Sequence, residues 1–520
     1  MTRDSGVRLA ELVATLSLAA DLGLGHSPEH AIRATLVALD MADELGVSGE
    51  ERATTYWVTL LAWVGCTADS FELARLFGDD IELRNGTYDV DFAGFPQMTY
   101  LLRRAGSDGS LLHRATSSAK LLMSNGRSVV KALSAHCEVT GRFAGRFGLG
   151  PEVDRCLAYT FTRWDGRGQP DDAGEAIPVA VRLLHLADLA VAHHRTGGTA
   201  AAVAEVRRRR GTHLQPELVD AFVPLAGQLL GRLDDESGWD EIVAAEPTLH
   251  RTLAGDELTT ALEVMADFAD IKSPWLLGHS RGVSELVAAA AAAAGHGPAD
   301  VLLARRAGLV HDLGRVGVPN TIWDKAGPLT RAEVERVRLH SYYTQRMLQH
   351  PGTLAEIGAI ASSNHERLDG SGYHRGAAAS GVPSLARLLG AADAFHAMGE
   401  DRPHRPALTA NARVAQVRSE VRAGRLDAAA VDAVLHAAGH APRRRSPGPG
   451  GLTAREVEVL LLAARGATNR AIGEALGISA KTAGSHIEHI YTKIGVSTRA
   501  GAALFAIQQG LLPDADPIAL

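Results

Sequence analysis

The stretch from His311 to Pro319 reads His-Asp-Leu-Gly-Arg-Val-Gly-Val-Pro and is the most informative part of this 520-residue chain. Its first two residues set an imidazole beside a carboxylate, a ligand mixture that suits Fe, Mn, Zn or Ni. Arg315 follows about one turn later, where a guanidinium can bind a phosphate oxygen. A second polar cluster, residues 364–366, precedes a glycine-rich turn at residues 369–373. Together the two stretches predict a buried metallohydrolase site.

Length and composition predict a helical protein of several domains. The chain is too long for one core and suggests about three domains. Its 46% hydrophobic and 22% charged residues are typical of a soluble globular protein, and the low aromatic content of 5% favours helix over sheet. The net charge of −7 argues against nucleic-acid binding along the whole chain but leaves room for one small DNA-binding module.

The expected location is the cytoplasm. Three scattered cysteines are too few for a disulfide framework or a zinc site, which favours a reducing compartment. The N-terminus lacks the layout of a signal peptide, and the apolar run at 286–295 is far too short to span a bilayer. We therefore expect no membrane partner.

Composition shifts divide the chain into four segments. Residues 439–451 are rich in Pro, Gly and Arg and predict a linker. The segments before it are 1–235 and 260–438, and the one after it is 452–515. The first two share three landmarks in the same order, which indicates an internal duplication. These are Gly-His-Ser (25–27 and 278–280), an Asp-Gly turn (165–166 and 369–370) and Leu-Leu-x-x-Ala-Asp (183–188 and 388–393).

The first copy has lost most of the polar site. His26 and Asp188 remain, but the His-Asp position falls on residues 64–67, and the second cluster falls on about Thr160 and Phe161. We predict a catalytically dead copy that serves packing, dimerisation or ligand binding. Cys66 is predicted to be a small buried hydrophobe, and the alternative is a reactive thiol.

Local signals predict mostly helix. Apolar residues at 302–313 suit a buried helix with the His-Asp pair near its end, and Thr330 with Glu333 resembles a capping box. The segment 79–92 is predicted to be an irregular loop or a short hairpin around Asn85-Gly86.

The second copy carries candidate ligands in an ordered series: His279, His311, Asp312, His340, His365 and Asp393. A carboxylate has two oxygens, so Asp312 can bridge two metals, and two close metals can activate water for an in-line phosphoryl displacement. We predict catalytic roles for Asp312 and Arg315. Substrate contacts are predicted for Arg315, Asp369, Gly370, Gly372 and Tyr373, with the alternative that 369–372 is an ordinary Asx/glycine turn.

These motifs resemble an HD-GYP domain of the HD metallophosphohydrolase superfamily, over about 270–440. The resemblance implies an all-α fold and metal-dependent hydrolysis of cyclic di-GMP. It implies one metal held by His279, His311, Asp312 and Asp393, and a second held by Asp312, His340, His365 and the preceding residue. The family usually has His at that preceding position, where this chain has Asn364, a poorer ligand. His374 follows Tyr373 in place of the family's Pro and either compensates or is a surface residue.

The C-terminal segment predicts two short helices joined by a tight turn. Thr453 and Glu456 form a capping-box pattern, and Gly477-Ile478-Ser479 separates the two helices of a helix-turn-helix. Ile487, Ile490 and Ile494 mark the core face of the second helix. The residues predicted to contact the major groove are Lys481, Thr482, Ser485 and His486, and Lys493 is assigned to a phosphate.

This segment resembles the LuxR-type helix-turn-helix almost end to end. The matching residues are the Thr-x-Arg-Glu-x-Glu-Val-Leu opening at 453, Asn469, Ile472, Ile478-Ser479, Lys481-Thr482, His486, residues 493–496 and Arg499. Gly484 departs from the pattern and costs roughly 1 kcal/mol of helix propensity. The predicted fold is all-α: two HD-type helical domains in tandem plus a C-terminal four-helix LuxR-type module. The alternative for this module is a bundle used for protein contacts.

The combination predicts a transcription regulator that binds double-stranded DNA as a homodimer. A metal, expected to be Fe or Mn, or a nucleotide such as cyclic di-GMP would set the state of the HD pair. The alternatives are an active cyclic di-GMP phosphodiesterase with an attached DNA-binding domain, and a pure interaction scaffold.

Overall fold

The structure is a computed structural model that describes residues 6–91, 93–106, 111–123, 127–233, 237–247, 250–350, 352–439 and 449–511. It forms two compact units, one of residues 8–253 and one of residues 254–520 with 1–7. Regular structure among the described residues is helical except for two strands of two residues, Val7–Arg8 (β1) and Thr252–Leu253 (β2), which pair. The all-α prediction is confirmed. In the described part of the chain, no helix is both long and apolar enough to cross a membrane.

The first domain, residues 8–253, is built around a helix that is buried along nearly its whole length, Leu9–Leu24. Its helices are α1 Leu9–Leu24, α2 His30–Glu44, α3 Gly49–Leu61, α4 Ser70–Phe77, α5 Asp80–Asn85, α6 Gly94–Arg104, α7 Leu111–Met123, α8 Arg127–Phe147, α9 Pro151–Leu157, α10 Val179–Arg208, α11 Pro216–Gly231 and α12 Trp239–Ala244. The predicted loop or hairpin at 79–92 is corrected for residues 80–85, which form α5, because Asp79 caps this helix by accepting from the amides of Ile81 and Glu82. Residues 86–91 form an irregular loop, as one of the two alternatives predicted. Phe92 lies outside the described residues.

The second domain, residues 254–439, positions the predicted ligands at helix ends. Its helices are α13 Gly255–Asp270, α14 His279–Ala293, α15 Pro298–Val310, α16 Asn320–Trp323, α17 Arg331–Met347, α18 Thr353–Ala361, α19 Ser384–Met398, α20 Ala410–Arg422 and α21 Ala428–Ala438. The predicted helix before the His-Asp pair is α15, and His311 is its C-cap. The capping box of Thr330 and Glu333 is confirmed at the start of α17.

The C-terminal module, residues 449–511, has a four-helix arrangement among its described residues: α22 Ala454–Ala464, α23 Asn469–Leu476, α24 Ala480–Ile494 and α25 Arg499–Gln508. The capping box of Thr453 and Glu456 is confirmed. Gly477 adopts φ +66°, a left-handed conformation that ends α23 and permits the tight turn into α24. Val459, Leu460, Ile472 and Ile490 form the core, so the module has an apolar centre of its own.

Candidate metal centre and DNA-binding module

The second domain brings the predicted ligands together from several helices. His279 begins α14, His311 caps α15, His340 lies in α17 and Asp393 in α19. These four and Asp312 are buried, and His365 is half-buried. The arrangement places an acidic pair among four imidazoles.

Asp312 lies between two ligand groups. Its Oδ2 is 3.6 Å from His279 Nε2 and 3.5 Å from His311 Nε2, while its Oδ1 is 3.5 Å from His340 Nε2. These separations are long for hydrogen bonds but fit pairs of ligands about 2 Å from a shared ion. One group is His279, His311 and Asp312, and the other is Asp312, His340 and His365. Asp393 lies beside both, 3.4 Å from His279 Nε2 and 3.9 Å from His365 Nε2.

Orphaned polar atoms support a cation at this place. His311 Nε2 and Asp312 Oδ1 are buried without a hydrogen-bond partner. Unpaired buried polar atoms are costly, and a metal ion would satisfy both atoms at once. The donor set of imidazoles and carboxylates therefore fits a divalent metal.

Hydrogen bonds hold three histidines with Nε2 facing Asp312. The Nδ1 atoms contact Glu400 Oε2 at 2.9 Å from His279, Gly308 O at 2.8 Å from His311 and Val337 O at 2.5 Å from His340. A proton on Nδ1 leaves the Nε2 lone pair free for a metal. Glu400 was missed by the sequence analysis, because an acidic residue seven positions beyond Asp393 has no local signal.

The charge state of the cluster favours ligand chemistry. Burial opposes ionisation of Asp312, but Arg315 and the nearby histidines hold its pKa well below the usual range. Burial lowers the pKa of His340 to about 4 and keeps the pKa of His365 well below normal, so both imidazoles are neutral near pH 7. Against burial, Glu400 and Asp393 raise the pKa of His279 to about 10, so a metal must displace a proton there.

Replacing Glu400 is expected to weaken metal binding. Glu400→Ala should lower the affinity for Mn²⁺ by about tenfold, because His279 loses the acceptor that orients it. Glu400→Gln should have a smaller effect, since an amide oxygen still accepts the proton. Isothermal titration with Mn²⁺ measures both. Glu335→Ala, at an exposed position of α17, is the control; equal affinities for Glu400→Ala and the control would contradict this role.

The predicted substrate residues divide into two sets. Arg315 Nε lies 2.9 Å from Asp312 Oδ2, and its guanidinium stacks 4.0 Å above the Trp323 ring. Tyr373 stacks on His365 with ring centroids 4.5 Å apart. Asp369 is instead exposed, and its carboxylate accepts from the amide and hydroxyl of Ser371 in an Asx turn.

The turn is held close to the second ligand cluster. Gly370 adopts φ +77°, and a Cβ on Gly372 would lie 2.6 Å from Glu366 Cα, so both positions require glycine.

Asn364 is fully buried, and both of its side-chain amide atoms lack a hydrogen-bond partner. His374 bonds Gln345 and does not join either ligand group of the described residues.

Matching contacts correct the position of the first histidine in the first copy. The carboxylate of Asp270 accepts from the amide of Ser280, and the carboxylate of Asp21 accepts from the amide of Ala31, with the same spacing of ten residues. His30, which begins α2, is therefore the counterpart of His279. His26, indicated by the Gly-His-Ser motif, lies one turn too early.

A second match corrects the His-Asp position. A Cβ on Gly314 would lie 2.0 Å from His340 O, and one on Gly65 would lie 2.2 Å from His136 O. Counting back from these glycines pairs His311 with Ala62 and Asp312 with Trp63, not with residues 64–67. The same reasoning from Gly372 and Gly168 pairs His365 with Phe161.

The remaining carboxylate of the first copy is fully occupied. Asp188 accepts from His30 Nε2 at 2.9 Å, Trp63 Nε1 at 2.9 Å and the Tyr88 hydroxyl at 2.8 Å. These donors take the oxygens that a metal would need. Cys66 is half-buried, and burial raises the pKa of its thiol to about 12, so the thiol is neutral near pH 7.

Removing one donor should destabilise this domain. Tyr88→Phe is expected to cost about 2 kcal/mol of unfolding free energy, because a buried carboxylate loses a hydrogen bond. Scanning calorimetry should show a lower midpoint for one transition. Tyr342→Phe, which removes an exposed hydroxyl from α17, should leave the profile unchanged; a Tyr88→Phe profile like that of the control would contradict the prediction.

The C-terminal module exposes most of its predicted DNA contacts. Lys481, Thr482 and Ser485 are exposed on α24, and His486 is half-buried. A Cβ on Gly484 would lie 3.2 Å from Asn469 Nδ2, so this glycine relieves crowding where α23 approaches. The assignment of Lys493 to a phosphate is revised, because its ammonium binds both Glu456 oxygens at 2.7 Å and ties α24 to the cap of α22.

Comparison with known families matches two segments of the chain. A family model for the HD domain matches residues 263–430, and one for bacterial regulatory proteins of the luxR family matches residues 451–506. The chain carries an HD domain and a LuxR-family domain. The HD match contains every predicted metal ligand, and the LuxR match contains the exposed face of α24.

Relatives of the HD domain include named phosphodiesterases. The chain is 27% identical over 405 residues to 3'3'-cGAMP-specific phosphodiesterase 3 of Vibrio cholerae, covering 77% of this chain and 88% of the relative. It is 32% identical over 189 residues to 3'3'-cGAMP-specific phosphodiesterase 1 of the same organism, covering 36% and 44%. A crystal structure of a cyclic GMP-AMP-specific phosphodiesterase from V. cholerae superposes with a TM-score of 0.60 at 24% identity, over 85% of this chain and all of that one. The shared fold therefore extends beyond the HD domain into the first domain.

Proposed function

We propose that this chain is a DNA-binding transcription regulator whose HD domain binds two divalent metal ions and a cyclic dinucleotide. The observation that carries the proposal is the position of Asp312 between two ligand groups, in a chain with a LuxR-family domain. One metal would be held by His279, His311, Asp312 and Asp393. The other would be held by Asp312, His340 and His365.

The nucleotide is proposed from the site and from the relatives. Arg315 is close to Asp312 and supplies a cation for a phosphate, while Tyr373 and His365 offer aromatic faces beside the second group. The relatives are named for activity on cyclic dinucleotides, so cyclic di-GMP and 3'3'-cGAMP are the ligands to test. Two bound metals would supply electrophilic assistance to a phosphodiester. We propose Fe or Mn, because mixed imidazole and carboxylate donors suit them.

The experiment measures metal content, nucleotide binding and turnover on one preparation. We expect bound transition metal and binding of one of the two dinucleotides in the presence of Mn²⁺ or Fe²⁺. Binding without turnover supports a sensor, and turnover supports the second candidate, an active phosphodiesterase. That candidate is favoured by the complete group of His279, His311 and Asp312. Absence of both metal and dinucleotide binding would overturn the proposal and leave an interaction scaffold.

Dimerisation is part of the proposal. LuxR-type modules typically read two half-sites, so one chain presents only half of the contact surface. Light scattering on the full chain with an operator should show two chains per duplex; a single chain would contradict this part.

A histidine at position 364 should strengthen metal binding by the group of Asp312, His340 and His365. Asn364→His is expected to raise metal occupancy or turnover by about tenfold, because the buried amide has no partner to lose and the new ring supplies a ligand. Metal analysis and a dinucleotide turnover assay provide the two readouts. Asn364→Ala, which adds no ligand, should stay at the wild-type level. Equal values for Asn364→His and Asn364→Ala would show that position 364 does not limit the site.

A further inference from the structure

The first domain has a partly open cavity of about 380 Å³ at its vestigial site. The cavity lies between residues that correspond to the metal ligands of the second domain and residues of α4, α5, α6 and α8. Its volume is in the range of small-molecule sites in proteins. The degenerate copy has therefore kept a cavity at the place that corresponds to the metal ligands of the second domain.

Aromatic rings line part of the cavity, two of them in place of metal ligands and one a retained histidine. Trp63, His136 and Phe161 stand where the second domain has Asp312, His340 and His365. The rings of His136 and Phe161 are 4.8 Å apart, the same separation as His340 and His365, and Trp63 lies 6.0 Å from Phe161. Such faces suit a flat aromatic group rather than an ion.

Much of the cavity lining is apolar. Side chains of α4, α5, α6 and α8 contribute to it: Leu73, Phe77, Leu83, Met98, Leu101 and Leu133. Burial of an apolar ligand against them is favourable in proportion to the area removed from water.

The buried charges on the lining are already neutralised within the protein. Arg84 pairs with Asp69, Arg163 with Asp165 and Arg209 with Glu205, while Arg167 is exposed. Burial also lowers the pKa of His136 to about 4, so that imidazole is neutral. The interior thus favours an uncharged ligand over a nucleotide, whose phosphates would require unpaired cations.

Three polar groups on the lining have atoms without a hydrogen bond. Both ring nitrogens of His26 are without one, although Nδ1 lies 3.9 Å from Asp21 Oδ1 and the side chain is 5% exposed. Thr162 Oγ1 and His213 Nδ1 also lack a hydrogen bond. Thr162 is fully buried. Buried polar atoms of this kind are normally satisfied, so the cavity has unfilled positions for hydrogen bonds to a ligand.

We propose that the first domain is a receptor for an uncharged, largely apolar small molecule that carries an aromatic ring and a few hydrogen-bonding groups. The ligand ring would stack on one of the aromatic side chains and meet the others edge-on, because their planes are inclined by 60–72°. His26, Thr162 and His213 would bind its polar groups. The ligand site is separate from the proposed metal centre and does not depend on metal or nucleotide binding there.

The test uses two fluorescent probes with the full chain. N-phenyl-1-naphthylamine is uncharged, and 8-anilino-1-naphthalenesulfonate has the same aromatic framework with an added sulfonate. We expect saturable binding of the uncharged probe at one site per chain, with affinity for the sulfonate weaker by about tenfold or more. Excess cyclic di-GMP should not displace the uncharged probe.

Cavity-filling variants locate the site. Ala132→Trp places a large side chain in the cavity from α8 and should weaken the affinity for the uncharged probe by about tenfold or more. Ser134→Trp, at an exposed position of the same helix, should change affinity by less than about twofold. Met98→Trp fills the cavity from α6 and replaces Ala132→Trp if that variant does not melt cooperatively by circular dichroism.

Four results would overturn the proposal. Three of them are non-saturable binding of the uncharged probe, equal affinities of the filling and control variants, and binding of the sulfonate as tight as that of the uncharged probe. Displacement by cyclic di-GMP would also overturn it, since the cavity would then take a nucleotide.

Discussion

Asp312→Asn is expected to abolish metal binding at both groups of the HD domain. Asp312 is the residue that the two ligand groups share, so its loss removes an anionic ligand from each. The substitution keeps size and shape but leaves an uncharged amide among three histidines and Arg315. If the protein hydrolyses a cyclic dinucleotide, turnover should fall by roughly 1,000-fold, equivalent to about 4 kcal/mol of transition-state stabilisation.

Elemental analysis of the purified variant measures the first effect, and a turnover assay measures the second. Asp432→Asn makes the same chemical change at an exposed position of α21 and should keep full metal content. Circular dichroism separates loss of metal from loss of fold. A folded Asp312→Asn protein with wild-type metal content would exclude Asp312 as the bridging ligand.

Lys481→Glu is expected to reduce DNA affinity by on the order of 100-fold. Lys481 is exposed near the start of α24, where the N-cap Ser479 accepts a hydrogen bond from the backbone amide of Thr482. Charge reversal removes an attractive contact and adds repulsion from the phosphates. A dimer carries the substitution in both chains, so the loss of affinity is counted twice. Fluorescence anisotropy can be measured with a duplex that the wild-type protein selects from a random pool.

The salt dependence of the affinity distinguishes a phosphate contact of Lys481 from a base contact. If Lys481 meets a phosphate, the variant should show a shallower dependence of affinity on salt, and if it meets a base, sequence discrimination should fall instead. Arg418→Glu carries the same charge change on an exposed position of α20 and should bind as the wild type does. Equal affinities for the two variants would remove α24 from the DNA interface.

The candidate ligand pair His311-Asp312 and the helix caps were predictable because their signals are local. His311 and Asp312 are adjacent, and the capping boxes of Thr330 and Thr453 depend on a residue three positions away. A dense motif also identified the C-terminal module. For these features, neighbouring residues in the chain are neighbours in space, so their spacing carries the geometry.

The first copy was harder to interpret because its motif had moved. Gly-His-Ser at 25–27 repeats the letters of the second copy, yet His30 has the matching contacts. In the same way, Lys493 suits a phosphate by position but lies on Glu456, 37 residues earlier. Sequence similarity could not settle either assignment, since each depends on which backbone amide or carboxylate lies opposite.

The sequence by itself determined the helical class, the candidate metal ligands and the DNA-binding module of this protein, because adjacent polar residues and helix periodicity encode them directly. Only the tertiary structure decided that Glu400 orients His279 and that hydrogen bonds from Trp63 and Tyr88 occupy the Asp188 carboxylate. It also decided that the first domain has a cavity where the metal site of the second domain has its counterpart. Each of these depends on contacts between residues about 100 or more positions apart, or on packing among several helices, which no local pattern records.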